Sequence, residues 1–268
     1  MYEQFRKKYG EWALVTGATS GIGAELAHQL AQRGLNLVLV ARREDVLKEN
    51  AEKLAHKYGV KAEYIAADLA SAQGIEAVTA TDKDIGLLVH AAGIETNGAF
   101  GKIDLEVQER MIRLNVLSTM QLAHHFARPM ISRGRGGILL LASIVAHMPS
   151  PYFSNYAGTK SYVLNFGASL YGELKPKGVD VCILSPGMTE TAMTEDNGVD
   201  WDKLPVSSMK PDVVAKAGLD SLGKKLSVVA GFRNQMTVGS AKFSPLSVAA
   251  CLGGAVMKRA IRKDKLWE

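Results

Sequence analysis

Tyr156 and Lys160 lie four residues apart in Tyr-Ala-Gly-Thr-Lys, and Ser143 precedes the tyrosine by thirteen residues. A tyrosine hydroxyl in water titrates near ~10, too high for ready proton exchange at neutral pH. A nearby cation favours the phenolate and brings that value down. Lys160, at i+4 on one helical face, is spaced to act in this way. Ser143 adds a hydroxyl that can donate to an oxygen on which negative charge develops. The three residue types suit a carbonyl/alcohol pair, with Tyr156 as general acid in reduction and general base in oxidation. A Tyr and Lys at this spacing are also common on solvated helices, so the rest of the chain must decide the matter.

A second motif does so. An apolar run at residues 12–16 leads into Thr16-Gly17-Ala18-Thr19-Ser20-Gly21-Ile22-Gly23, and a helical pattern follows. Strand, glycine turn and helix N-terminus form a phosphate-binding arrangement, because free N–H groups and the helix dipole face the ligand. The next strand ends Ala41-Arg42-Arg43. An acidic residue there would accept from a ribose hydroxyl, whereas arginine accommodates a 2′-phosphate. Arg42 and Arg43 therefore predict NADP(H) over NAD(H).

The elements that must position these groups follow from hydropathy. Strand-length apolar runs at 12–16, 36–41, 62–67, 85–91, 137–143, 179–185 and 227–231 alternate with helical patterns at 22–33, 43–58, 105–132, 155–175 and 211–224. Such alternation predicts an α/β fold, a doubly wound parallel sheet of seven strands with helices on both faces, in one domain over 1–268. Ligands of open parallel sheets bind outside the carboxyl ends of the strands. The glycine turn, Arg42, Asp68, residues 91–93, Ser143 and residues 186–191 all follow strand ends, so they are expected around one crevice.

Composition limits the function classes. The chain has 268 residues, a hydrophobic fraction of 47% and a charged fraction of 22%, as in ordinary globular proteins. Two cysteines without paired spacing predict no disulfide framework, no metal site and a reducing, cytoplasmic setting. No apolar run reaches the ~18 residues of a membrane span, and no signal-peptide pattern is visible at Met1. The net charge of +5 is scattered rather than interleaved with aromatics, which argues against a nucleic-acid partner.

With these motifs in register the chain resembles the short-chain dehydrogenase/reductase family, over residues 11–234. Thr16 to Gly23 matches its Thr-Gly-x-x-x-Gly-x-Gly motif. Asp68-Leu69 matches the pair that contacts the adenine ring. His90-Ala91-Ala92-Gly93 matches Asn-Asn/Ala-Ala-Gly, with histidine where asparagine is usual, a change that touches a strand-supporting hydrogen bond. Asn115, Ser143, Tyr156 and Lys160 match the catalytic set, and Pro186-Gly187-Met188-Thr189-Glu190-Thr191 matches the segment that holds the nicotinamide carboxamide.

The resemblance implies a Rossmann-type fold and a cofactor site of Gly17, Thr19, Ser20, Gly21, Ile22, Gly23, Arg42, Arg43, Asp68, Leu69, Ala91, Ala92, Gly93, Tyr156, Lys160, Pro186, Gly187, Thr189 and Thr191. It also implies that Lys160 binds the nicotinamide ribose, that Asn115 holds a proton-relaying water, and that the chain forms a homodimer or homotetramer. Tyr9-Gly10-Glu11-Trp12-Ala13 is similar to the branch of hydroxysteroid dehydrogenases and long-chain 3-ketoacyl reductases.

Val145, His147, Met148, Phe153, Met188 and Met193 are expected to line the substrate, and their apolar character favours a lipophilic ketone such as a steroid or fatty 3-oxoacyl group. Adjacent His124 and His125 do not share a helical face and read as packing or surface residues. Residues 187–210 read as a lid that orders on substrate binding. Residues 244–268 form a basic tail. A helix there would bury Leu246, Ala249, Ala250, Gly253, Met257 and Ile261, against its own domain or a partner subunit; the other reading is peripheral contact with anionic lipid. A rival function is a catalytically silent NADPH-binding sensor or scaffold, which would have no need of the Tyr156 hydroxyl.

Overall fold

Alternation along each central strand separates the interior into two layers. Ala13, Val15, Leu37, Leu39, Leu87, Val89, Leu139, Cys182 and Leu184 belong to one buried cluster. Their neighbours Leu14, Val38, Val40, Leu88, Ile138, Leu140, Val181 and Ile183 belong to the other. Successive side chains of a strand point to opposite faces, so strands apolar at every position must be covered on both sides. The computed structural model describes residues 2–195, 197–204, 206–241 and 243–267, with side chains from residue 5 onward. Residues 196 and 205 of the expected lid and 268 of the expected tail lie outside these.

In chain order the elements are α1 (Tyr2–Tyr9), β1 (Trp12–Thr16), α2 (Gly21–Gln32), β2 (Asn36–Ala41), α3 (Glu44–Tyr58), β3 (Ala62–Ala66), α4 (Ala72–Thr79) and β4 (Ile85–His90). There follow α5 (Leu105–Ile112), α6 (Ser118–Arg133), β5 (Gly136–Leu141), α7 (Ser154–Leu174), β6 (Val179–Ser185), α8 (Pro211–Ser221), β7 (Ser227–Val229), α9 (Phe232–Ala241) and α10 (Leu246–Ala260). The sheet has seven strands in the order β3-β2-β1-β4-β5-β6-β7, all paired in parallel. Residues of α2, α3 and α8 pack in the first cluster, among them Leu26, Leu30, Leu47 and Leu219. Residues of α4, α6 and α7 pack in the second, among them Val78, Leu122, Phe126 and Val163. Each such large apolar side chain contributes about 1.5–3 kcal/mol.

The strand order reverses at β1, which has β2 on one side and β4 on the other. Connections leaving neighbouring strands in opposite directions open a crevice at their carboxyl ends. The sheet agrees with the sequence expectation to within a residue or two at most strand ends. The helical additions are α1, α4 and α9, which have weak or short apolar patterns. The expected helix at 105–132 is broken between α5 and α6 by a π-helical turn, Arg113–Leu117. Such turns often mark functional positions, and Asn115 lies in its middle.

On the face of α10 expected to pack, Ala249, Ala250, Gly253 and Met257 are half-buried and Ile261 is buried, so only Leu246 departs from expectation. Ala260 and Ile261 are buried, but Leu246 is 75% exposed, with Val248, Leu252 and Val256 also outward. The middle of α10 passes Pro151 at Gly253 and Gly254, and its C-terminal end is clasped by residues 198–200. The Ile261 backbone bridges to Val199, Asp200 N donates to Ala260 O at 2.8 Å, and Arg262 N donates to Gly198 O at 3.0 Å. Residues 188–209 start and finish together, since Glu190 N donates to Met209 O at 3.0 Å and Met209 N to Met188 O at 3.1 Å. The tail therefore holds down this loop. Among the described residues no helix is long and apolar enough to cross a membrane.

Candidate active site

The turn after β1 is shaped by its glycines. Gly17 and Gly21 adopt left-handed φ of 70° and 57°, a conformation that a side chain resists. A Cβ on Gly23 would stand 2.3 Å from Gly17 O, so only hydrogen fits where α2 meets the turn. Ser20 caps α2 without a side-chain hydrogen bond, and the first turn carries no acidic residue. The N-terminus of α2 thus keeps its positive end open toward the crevice.

That crevice encloses about 650 Å³. Its wall includes every residue expected at the cofactor: Gly17, Thr19 to Gly23, Arg42, Arg43, Asp68, Leu69, Ala91 to Gly93, Tyr156, Lys160, Pro186, Gly187, Thr189 and Thr191. Arg42 and Arg43 are exposed. Asp68 receives Arg110 Nη2 at 2.8 Å and Ala70 N at 3.1 Å. Burial alone would raise its carboxyl, but these donors and the charges of Arg110 and Arg42 hold it below the usual carboxylate range. These features suit an anionic dinucleotide: a glycine cradle, an uncovered helix N-terminus, cations at one end.

Position 90 completes the turn differently from the family pattern. Thr16 Oγ1 accepts from Ala91 N and Ala92 N, both at 3.0 Å, so its proton goes to His90 Nδ1, also at 3.0 Å. Ser118 Oγ donates to Leu114 O and must therefore accept from His90 Nε2 at 3.2 Å. The chain of donors fixes the Nε2–H tautomer. The histidine supplies the strand-supporting bond that asparagine would have made and extends it to α6. Burial, assisted by the Lys160 charge, pushes its imidazolium value down to about 3. An unfolded histidine titrates near ~6.5, so the unfolded chain takes the proton first. The stabilisation is complete above that value and is lost as pH falls toward about 3, at about 1.4 kcal/mol per pH unit. Urea midpoints followed across this range should fall less steeply for His90→Asn than for the parent; parallel curves would refute the assignment.

The catalytic candidates converge. Tyr156, Ser143 and Lys160 line the crevice together, and the neighbouring Ser143 hydroxyl favours the Tyr156 phenolate. Lys160 Nζ donates to Leu141 O at 2.8 Å and stands 5.8 Å from the Tyr156 ring centre. Asn115 lies behind the wall rather than on it. Its Oδ1 accepts from Ile94 N at 3.0 Å, and its Nδ2 donates to Ile94 O at 2.9 Å and Thr159 Oγ1 at 3.1 Å. It ties the loop after β4 to α7.

One electrostatic expectation is corrected. Lys160 does not bring Tyr156 down here. Burial drives the tyrosine above its ordinary value, the Glu95 carboxylate adds to this, and only the neighbouring Ser143 hydroxyl opposes it. The lysine is itself pushed down to about 8 by burial, against the Glu95 charge. A buried ammonium is costly to keep charged, yet at about 8 the group stays largely protonated at neutral pH.

Val145, Phe153, Met188 and Met193 are on the crevice wall as expected. His147 and Met148 are not. The His147 Nε2 meets Ser185 Oγ at 3.0 Å, since the short helical turn after Ser143 rotates it toward β6. Sequence reasoning missed Glu95, Trp201, Leu204, Val206 and Met257, which also line the crevice. Glu95 was accessible by the strand-end rule, being five residues beyond β4. Met257 was not, because only the tertiary clasp brings α10 there.

Residues 11–200 match the profile of the short chain dehydrogenases. The chain belongs to this family. It is an oxidoreductase, and its relatives place it in the hydroxysteroid dehydrogenase branch. It is 32% identical to a 7beta-hydroxysteroid dehydrogenase of Clostridium sardiniense, over 86% of this chain and 89% of the relative. A solved structure concerning 7beta-hydroxysteroid dehydrogenase stereoselectivity superimposes with a TM-score of 0.84 at 28% identity, over 93% of this chain and 98% of that one. A short-chain dehydrogenase from Sphingobium yanoikuyae in complex with NADPH gives a TM-score of 0.77 at 33% identity, over 86% and 93% of the two chains.

Proposed function

We propose that this dehydrogenase interconverts a ketone and a secondary alcohol on a lipophilic substrate with NADP(H). The observation that carries the reading is that Ser143, Tyr156 and Lys160 share one crevice wall with Val145, Phe153, Met188, Leu204 and Met257. An apolar wall with few polar groups orients a greasy ligand and leaves the hydroxyls as its polar anchor.

The cofactor, when bound, supplies or accepts the hydride. In reduction Ser143 donates to the substrate carbonyl oxygen, and Tyr156 gives its proton to that oxygen as charge develops. The raised Tyr156 value keeps the hydroxyl protonated for this donation. Lys160, held near Leu141 O, supplies positive charge on the cofactor side of the tyrosine. Asn115 keeps the loop and helix in register. In oxidation the roles of Tyr156 reverse.

Cofactor choice follows from β2, which ends without a carboxylate and is followed by exposed Arg42 and Arg43. Guanidinium groups suit phosphate through charge-assisted, bidentate bonds. Steady-state assays with NADPH and NADH, against steroid ketones and 3-oxoacyl thioesters, test both halves of the proposal. The preference for NADPH should fall roughly tenfold or more when Arg42 and Arg43 are both changed to alanine. An NADH preference in the parent would overturn the cofactor reading. Absence of turnover with any lipophilic ketone, despite NADPH binding, would overturn the substrate class.

A further inference from the structure

Glu95 stands out beside the apolar wall of Val145, Phe153 and Met257. It lines the main crevice with Val145, Phe153, Trp201 and Met257. It also lines a second cavity of about 540 Å³ between the loop after β4 and the C-terminal tail. Ile94, Glu95, Ala192 and Met193 border both spaces, so the carboxylate lies at their junction. Nothing in the proton transfer assigned to Tyr156, Ser143 and Lys160 uses it.

Its position is built rather than incidental. Asn197 Nδ2 donates to Glu95 Oε1 at 2.7 Å. Asn197 is held in turn, since its carbonyl accepts from Asn97 Nδ2 at 3.0 Å and from Lys265 Nζ at 2.6 Å. Lys265 Nζ also reaches Asn97 Oδ1 at 3.0 Å. Loop, lid and tail therefore meet around one carboxylate. Among the described residues no second donor reaches it, leaving lone pairs for a ligand. The adjacent Thr96 hydroxyl is shut off from solvent and also has no hydrogen-bond partner among the described residues. Unsatisfied polar capacity of this kind is uncommon in native interiors and calls for a function.

We propose that Glu95 reads a hydroxyl group on the substrate remote from the reacting carbonyl, so that the preferred ligand is a hydroxylated lipophilic ketone. This rests on the carbonyl/alcohol chemistry proposed above. The occupant is a neutral donor rather than an ammonium, because the site is already supplied with cations. Burial raises the Glu95 carboxyl above its ordinary value, and the Asn197 hydrogen bond and the charges of Lys160 and Lys265 offset this only in part. A carboxylate accepting from a hydroxyl makes a charge-assisted bond. A deoxy ligand would bury the charge without that bond, and sites built for a hydroxyl discriminate strongly against analogues that lack it.

The test compares a steroid ketone carrying one remote hydroxyl with its deoxy counterpart, assayed with NADPH on the parent, Glu95→Leu and Glu95→Gln. The ratio of the two kcat/KM values is the readout, because an effect of Glu95 on Tyr156 or Lys160 is common to both ketones and cancels. The parent should favour the hydroxylated ketone by about tenfold to a hundredfold, chiefly through KM. Glu95→Leu should bring the ratio close to one, and Glu95→Gln, which retains an acceptor oxygen, should keep part of it. A parent without preference, or variants with an unchanged ratio, would overturn this inference while leaving the proposed activity standing. A parent that binds NADPH and turns over neither ketone would bring down both.

Discussion

Tyr156→Phe should lower kcat/KM for the best ketone by about 10²–10⁴-fold, the contribution of a positioned general acid. The reason is local. The tyrosine lies with Ser143 and Lys160 on the wall of a crevice where few other side chains carry a transferable proton. Phenylalanine keeps the ring packing against Met111 and Phe153 and removes only the oxygen. NADPH affinity, measured by fluorescence titration, should change little, because the phosphate end of the wall is distant in the fold and unaltered. A variant that keeps turnover within a few-fold of the parent would exclude the tyrosine from the chemistry. A matched loss of NADPH binding would point to a structural role.

Gly23→Ala should abolish tight cofactor binding and destabilise the fold. The new methyl would stand 2.3 Å from Gly17 O, 2.8 Å from Gly17 C and 3.1 Å from Thr16 O. All three are backbone atoms of the turn, so relief requires α2 to move away from β1. Overpacking of this kind costs about 1–3 kcal/mol, and the displaced helix N-terminus loses its alignment with the phosphate site. A thermal midpoint lowered by several degrees, with NADPH affinity down about tenfold or more, is the expected result. Gly172→Ala is the control. Nothing lies within 4 Å of a Cβ at that position, and it sits inside α7, where alanine is favoured by about 0.5–1 kcal/mol. Equal behaviour of the two variants would show that the close approach at Gly23 carries no weight.

Much of the architecture was legible because it rests on short-range patterns. Val, Leu and Ile at consecutive positions of residues 36–41 and 179–185 can be satisfied only in a strand covered on both faces. The i, i+4 spacing of Tyr156 and Lys160 needs nothing beyond helical geometry. The rule that ligands gather at strand carboxyl ends brought the glycine turn, Asp68, Gly93 and Ser143 to one crevice across the whole chain. Elements with weak periodicity were not legible. Within α1, Tyr9 is almost wholly buried, and its hydroxyl donates to Asp180 Oδ2 at 2.8 Å, a contact 171 positions away in sequence.

The sequence by itself determined the sheet, the glycine turn and the order of the candidate catalytic groups, since each depends on periodicity or on spacing within one element. Tertiary structure alone decided the rest. It set the proton on His90 through a relay from Thr16 to Ser118. It raised Tyr156 where spacing had suggested the reverse, because burial depends on what packs around a group and not on its neighbours in sequence. It brought Met257 from the tail to the crevice wall and Lys265 to Asn197 and the loop after β4. Desolvation and long-range contact are properties of packed three-dimensional surroundings, and no local pattern encodes them.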